Sequence, residues 1–168
     1  MWRSDFPQAS DYGEGMQRTR FGDMACSIAR TLDIAGEPWS PLIIRDVWTG
    51  ITRFEQLQNS LRISSKVLTE RLKWLTAHGI LEPRAYSQRP VRHEYLLTES
   101  GRELCDILLA ITAWGDRWTA GTAGPPTVIR HRSCGALTHA EIRCASCGDH
   151  LHSIDVDIEP GPGAGAVR

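Results

Sequence analysis

Residues 53–101 read RFEQLQNSLRISSKVLTERLKWLTAHGILEPRAYSQRPVRHEYLLTESG, and their order decides the fold. Two short amphipathic segments come first, then a basic hairpin, then a capped helix. Phe54 to Leu61 spaces Phe54, Leu57 and Leu61 for one buried helical face. Ile63 to His78 is the most informative segment. Ser64 suits its N-cap, and Gly79 suits its stop. Leu68, Leu72 and Leu75 recur at helical spacing and should face a core. The opposite stripe is Ser65, Lys66, Thr69, Glu70 and Lys73: small, polar and mostly cationic near the helix start. That chemistry suits base edges and phosphates better than a partner helix.

Ile80 to Tyr86 and Val91 to Leu97 alternate like strands, joined by Ser87-Gln88-Arg89-Pro90. Arg89 sits at the tip, with Arg84, Arg92 and His93 nearby. A two-stranded ribbon is marginal alone and must lean on helices. Thr98 then starts a long helix whose apolar stripe is Leu104, Ile107, Leu108, Ile111, Trp114 and Trp118. Upstream, Met24 to Ile34 and Trp39 to Trp48 have helical periods. In the second, Ser40-Pro41 serves as N-cap and first helical position, and Trp39, Leu42, Ile43, Val47 and Trp48 share one face. The sum is a mainly α fold with a small β-wing, a winged helix-turn-helix. The long last stripe exceeds what one small core can cover, so it predicts a second subunit.

Charge supports this assignment. The 168-residue chain has a net charge of −1. Between Ile51 and His93, however, eight basic residues face three acidic ones, giving +5 and leaving −6 elsewhere. A cationic middle between acidic flanks predicts one polyanion-binding face. No apolar run approaches a membrane span, and residues 1–20 carry no secretory pattern. Free thiols and no leader predict a cytoplasmic protein. No phosphate-cradling glycine loop, nucleophile elbow or open metal motif argues for an enzyme.

The middle of the chain resembles the HxlR-type winged helix-turn-helix transcription regulators, relatives of the MarR group. Cys26, Gly36 with Trp39, Arg53-Phe54-x-x-Leu57, Ile63-Ser64-x-Lys66-x-Leu68-Thr69 and Arg71-Leu72-x-x-Leu75 carry the resemblance. Gly79-Ile80, Tyr86, Pro90, Glu94-Tyr95-x-Leu97-Thr98, Gly101 and Trp114-Gly115 complete it, over about residues 24 to 118. It implies a homodimer paired through the first and last helices of the core; a repressor is the first expectation, with activation left open. Each Ser64-capped helix would read half of a palindromic operator in double-stranded DNA. Ser64, Ser65, Lys66, Thr69 and Lys73 would meet the groove and Arg89 the DNA beside it. Arg53, Lys66, Arg84 and Arg92 would supply phosphate contacts. In relatives an N-terminal cysteine senses oxidants or electrophiles; Cys26 is the candidate here, with a structural, partly buried thiol as the plainer reading.

The rest divides by composition. Residues 1–20 are a polar lead-in, 21–120 the winged domain, 121–126 (GTAGPP) a linker, 127–158 a cysteine-bearing segment and 159–168 a disordered Gly/Pro/Ala tail. In 127–158, His131-x-x-Cys134-Gly135 and Cys144-x-x-Cys147-Gly148 are two copies of one half-motif. Three thiolates and one imidazole make a closed tetrahedral shell, so structural zinc in a small zinc-ribbon-like β segment is expected. His139, His150 and His152 are rival ligands. A hairpin pairing Val128 and Ile129 with Ile154, Val156 and Ile158 could exist with or without metal. Three other roles stay open. The tail could sense metal or redox state, the whole could be a protein-interaction module, or a small-molecule effector could lodge near Trp39, Trp48, Trp114 or Trp118.

Overall fold

The computed structural model describes residue 21 and residues 24–164; the expectations for 1–20 and for the last four residues lie outside the described residues. Five helices and a hairpin form the winged part: α1 (Ser27–Ala35), α2 (Trp39–Trp48), α3 (Phe54–Leu61), α4 (Ser65–Ala77), β1 (Leu81–Gln88), β2 (Val91–Leu97) and α5 (Glu99–Trp118). A 3₁₀ turn at Gly121–Ala123 leads to the tail, which holds β3 (Ile129–Arg130), β4 (Leu137–Thr138) and a second 3₁₀ turn at Ser153–Asp155. Among the described residues no helix is long and apolar enough to cross a membrane.

The core is the meeting of α2, α3 and α4 under the root of the hairpin. Ile43, Ile44, Leu57, Leu68, Leu72, Leu75 and Leu81 are fully buried, with Val47, Leu61, Ile63, Ile80 and Cys105 around them. Each such aliphatic side chain contributes roughly 1.5–3 kcal/mol by leaving water. The turn from α3 to α4 is short. Arg62 takes a left-handed backbone (φ 51°), Ile63 plugs the core, and Ser64 caps α4 by accepting from the Val67 N–H at 3.3 Å. Trp74 Nε1 on α4 donates to Ile34 O at 3.2 Å, and Arg71 pairs with Glu37 at 3.5 Å. These contacts tie α4 to the end of α1 and the segment after it.

The hairpin is antiparallel, with Leu81 opposite Leu97 and Arg84 opposite Glu94. Its register slips between Ala85 and Ser87, leaving Tyr86 as the extra residue of β1. β1 runs on to Gln88, so the connection is two residues, Arg89-Pro90, rather than the four expected. At the root, Thr98 Oγ1 and Ser100 Oγ both donate to Gly79 O, at 2.5 and 2.8 Å, and Thr98 N donates to Ile80 O at 3.1 Å. Thr98 Oγ1 also accepts from the Gly101 N–H, so one side chain caps α5 and clasps the end of α4. Gly101 is buried there, and a Cβ on it would stand 2.2 Å from Ile80 O.

Three local expectations are corrected. Ser40 does not cap α2. The helix starts at Trp39 with Pro38 before it, because proline at φ −52° enters a helix without strain, and Ser40 is buried in the first turn. Trp48 and Leu42 do not share the buried face; Ser40, Ile43, Ile44, Asp46 and Val47 do, and Trp48 stays 46% exposed. Val128 and Ile129 do not pair with Ile154–Ile158. Ile129-Arg130 pairs with Leu137-Thr138 across the first half-motif, where a short turn costs less chain entropy to close than the long loop to Ile154.

The apolar stripes of α1 and α5 are only partly used. Ala29 is the buried residue of α1, while Ile28 and Leu32 are exposed. On α5, Leu104 and Leu108 lean on the core, whereas Ile107, Ile111, Trp114 and Trp118 are each at least half exposed.

Replacing Gly101 by alanine sets two effects against each other. Helix propensity would favour alanine by about 1 kcal/mol. The contact with the Ile80 carbonyl is backbone and cannot swing aside, and overpacking of this kind costs about 1–3 kcal/mol. Gly101→Ala is therefore expected to lower stability, read as a reduced urea midpoint; an unchanged or raised midpoint would refute the tight approach.

Candidate nucleic-acid interface

Burial of Leu68, Leu72 and Leu75 turns the other side of α4 outward. Ser64, Ser65, Lys66 and Lys73 are exposed on it, and Thr69 is half-buried. Thr69 Oγ1 donates back to Ser65 O at 2.7 Å, so its lone pairs, not its proton, face outward. Glu70 is exposed on the same helix. Arg53 is the residue before α3, in extended backbone, and its N–H donates to the Gln56 side chain at 3.4 Å. The Arg53 guanidinium lies 4.4 Å over the ring of Tyr86, and an isolated bridge pairs Arg53 with Glu94. The start of α3 and the wing thus form one unit, with a hollow of about 400 Å³ between Arg53, Gln56, Tyr86, Arg92 and His93.

Arg89 and Arg92 are exposed along the wing. Arg84 differs. Its Nε and Nη2 both donate to Glu94 Oε1, at 2.9 and 2.6 Å, so its charge is already balanced. Arg71 also leaves the basic face, since its pairing with Glu37 is largely buried. Residue types and spacing missed two features. Tyr86 braces Arg53, which only the slip in β1 explains. Arg62 stands exposed in the turn before α4; a three-residue link between two helices was its signal.

The remaining thiols separate by surroundings. Cys26 is the residue before α1, partly exposed, with no capping hydrogen bond from its side chain. Cys105 is buried on α5, where burial and the nearby Asp106 charge push its thiol up and keep it protonated. It helps floor a hollow of about 500 Å³ with Trp48, Leu96 and Leu97. Of the four tryptophans named as ligand candidates, Trp48 alone lines this space; Trp39 packs on the core and Trp114 and Trp118 lie on the bare face of α5.

In the tail the structure brings His131 to Cys134, with Nδ1 3.3 Å from Sγ, and sets Cys144 beside Cys147. Backbone N–H groups of Cys147 and Ser146 draw the Cys144 thiol down from its ordinary value. Among the described residues no three His, Cys, Asp or Glu side chains are gathered as a metal-holding group. His139 and His150 instead face Glu141, at 3.8 and 3.6 Å, and the Arg143 hydrogen bond holds the Glu141 carboxyl below its usual range.

Comparison with known proteins agrees with this layout. The HxlR-like helix-turn-helix family matches residues 34–122. An HTH-type transcriptional regulator of Mycobacterium tuberculosis is 39% identical over 137 residues, 82% of this chain and 87% of its own length. A match that long in a chain of 168 must reach beyond the winged part into the tail. A crystal structure of a candidate transcription factor has a TM-score of 0.76 at 32% identity, covering 85% of this chain and all of that one. A second, from Pseudomonas aeruginosa, has a TM-score of 0.58 at 36% identity, covering 82% and 93%.

Ser64→Ala removes the α4 cap and leaves the Val67 N–H without its partner. The expected cost is about 1 kcal/mol of stability, measured by thermal unfolding. A loss below a few tenths would mean that the cap does not hold the first turn.

Proposed function

The chain belongs to the HxlR-like helix-turn-helix family and is a DNA-binding transcription regulator, and from that premise we propose how it binds. It acts as a homodimer on a palindromic operator. The exposed side of α4 carries this reading: a polar, cationic stripe opposite a fully buried leucine face. Ser65, Lys66, Thr69 and Lys73 enter the major groove, and Ser64 lies at the end of α4 closest to it. Arg89 reaches the flanking DNA from the wing tip, and Arg53 and Arg92 hold phosphates on either side of the hollow at the wing root. Arg84 contributes less, because Glu94 already balances it. Phosphate contacts set register and most of the affinity, whereas the α4 side chains select sequence.

Dimerisation through α1 and α5 covers what the single chain leaves bare. Ile28 and Leu32 on one helix and Ile107, Ile111, Trp114 and Trp118 on the other are too apolar to be an ordinary solvated surface. A two-fold axis there sets the two α4 helices roughly 34 Å apart, the spacing of successive major grooves.

Selection of bound sequences from random DNA is expected to return a palindrome with half-sites about one helical turn apart. Direct repeats or no enrichment would overturn the reading. The logarithm of the affinity should fall linearly with the logarithm of salt concentration, and Lys66→Ala should flatten that slope by about one. An unchanged slope would remove Lys66 from the phosphate contacts. Trp114→Glu, which places a charge in the bare α5 stripe, should yield a monomer in sedimentation and abolish tight operator binding. A dimer of wild-type stability would place the interface elsewhere.

A further inference from the structure

We propose that the tail is a zinc site built from two structurally repeated turns, with His131, Cys134, Cys144 and Cys147 as its four ligands. An offset of 13 residues carries Arg130-His-Arg-Ser133-Cys134-Gly135 onto Arg143-Cys-Ala-Ser146-Cys147-Gly148. The structure builds the same turn at both. His131 N donates to Ala136 O at 2.9 Å, and Cys144 N to Asp149 O at 2.8 Å. Gly135 N donates to His131 O at 2.8 Å, and Gly148 N to Cys144 O at 2.9 Å. Gly135 and Gly148 share a left-handed backbone, at φ 71° and 80°. The Nη1 of Arg130 donates to Gly135 O, and the Nη1 of Arg143 to Gly148 O. Two unrelated loops would not share the ligand spacing, the glycine and an arginine bracing that glycine's carbonyl.

This repetition selects His131 among the histidines. It occupies the turn position that Cys144 occupies in the second copy. His139 and His150 are turned toward Glu141, and His150 stacks with His152 at 5.9 Å between ring centres. The His131 Nδ1 to Cys134 Sγ separation of 3.3 Å is also close to what one ion demands. With Zn–N about 2.0 Å and Zn–S about 2.3 Å, adjacent ligands of a tetrahedron stand about 3.5 Å apart.

The tail needs such a cross-link. No residue from 121 to 164 is buried, β3 and β4 are two residues each, and Ile142, Ile154 and Ile158 are exposed. A segment of this size gains no stability from a core and draws it from metal instead. Each turn presents a pair of donors; the structure does not gather the two pairs into one group, and binding one ion would draw them together. Binding takes three thiols to thiolates, releases their protons to solvent and leaves the imidazole neutral at its ligating nitrogen. The closed shell leaves no position for water, so the ion shapes the tail and performs no reaction.

The test uses the full chain, reduced, stripped with chelator and titrated with Co²⁺ and then Zn²⁺. One metal per chain should appear by native mass spectrometry, with thiolate-to-cobalt charge transfer and the intense visible bands of tetrahedral cobalt, both erased by zinc. His131→Ala, Cys134→Ser and Cys147→Ser should lose stoichiometric binding. His131→Cys should keep one metal, which separates ligand loss from a misfolded tail. His139→Ala, His150→Ala and His152→Ala should bind as the parent does. Absence of a stoichiometric metal in the parent protein would overturn the proposal, as would loss of binding in His150→Ala with retention in His131→Ala.

Discussion

The DNA-reading arrangement proposed for the winged part depends on α4 having one dry face. Leu68, Leu72 and Leu75 are all but completely buried against α2, α3 and the root of the wing. A helix so anchored cannot roll, because a rotation of even one residue would lift a leucine into water at roughly 1.5–3 kcal/mol. Its other face is therefore presented at a fixed angle, which the groove reading proposed for it requires more than it requires any one side chain. The elements around α4 serve the same end. The left-handed Arg62 and buried Ile63 set its entry, Ser64 closes its first turn, and the Trp74 indole and the Arg71–Glu37 pair hold its flank.

Electrostatics refines what burial sets up. Eight cations in the middle of the chain suggest one basic face, yet they do not act alike. Arg71 is spent inside the fold and Arg84 is spent on Glu94, whereas Arg53 is held rigid by the Tyr86 ring and stays available. The difference lies in geometry across strands and between elements: charge counting treats every arginine as equal, and cross-strand partners unmake that equality.

The same distinction separates what is legible in the amino-acid sequence from what is not. Helices α3 and α4, the Ser64 cap, the Gly79 stop, the Thr98 start and the hairpin follow from periods and caps, which act over three or four residues. The family resemblance reaches the same elements by whole-motif comparison and is met by the match over residues 34–122. Contacts set by distant neighbours were not legible. Ser40 looks like a cap by identity, but Pro38 lets the helix begin earlier and the core claims Ser40. Trp48 looks like core by hydrophobicity, but it falls just past the buried arc of α2. In the tail, strand propensity argued for pairing Ile129 with distant isoleucines, and the compact glycine turns won because a loop of a few residues costs less entropy to close. The candidate DNA contacts were legible as residue types; the bracing of Arg53 and the neutralisation of Arg84 depend on β1–β2 register and on the slip at Tyr86.

The clasp at the end of α4 has a mechanical side. Thr98 and Ser100 grip the Gly79 carbonyl while the bare backbone of Gly101 rests against the Ile80 carbonyl with no side chain between them. Contacts made backbone to backbone have almost no compliance, since neither partner can change rotamer. The N-terminus of α5, the end of α4 and the root of the hairpin are thus geared together as one rigid joint. The ribbon that reaches out to Arg89 therefore starts from a joint whose geometry is set by the first turn of α5.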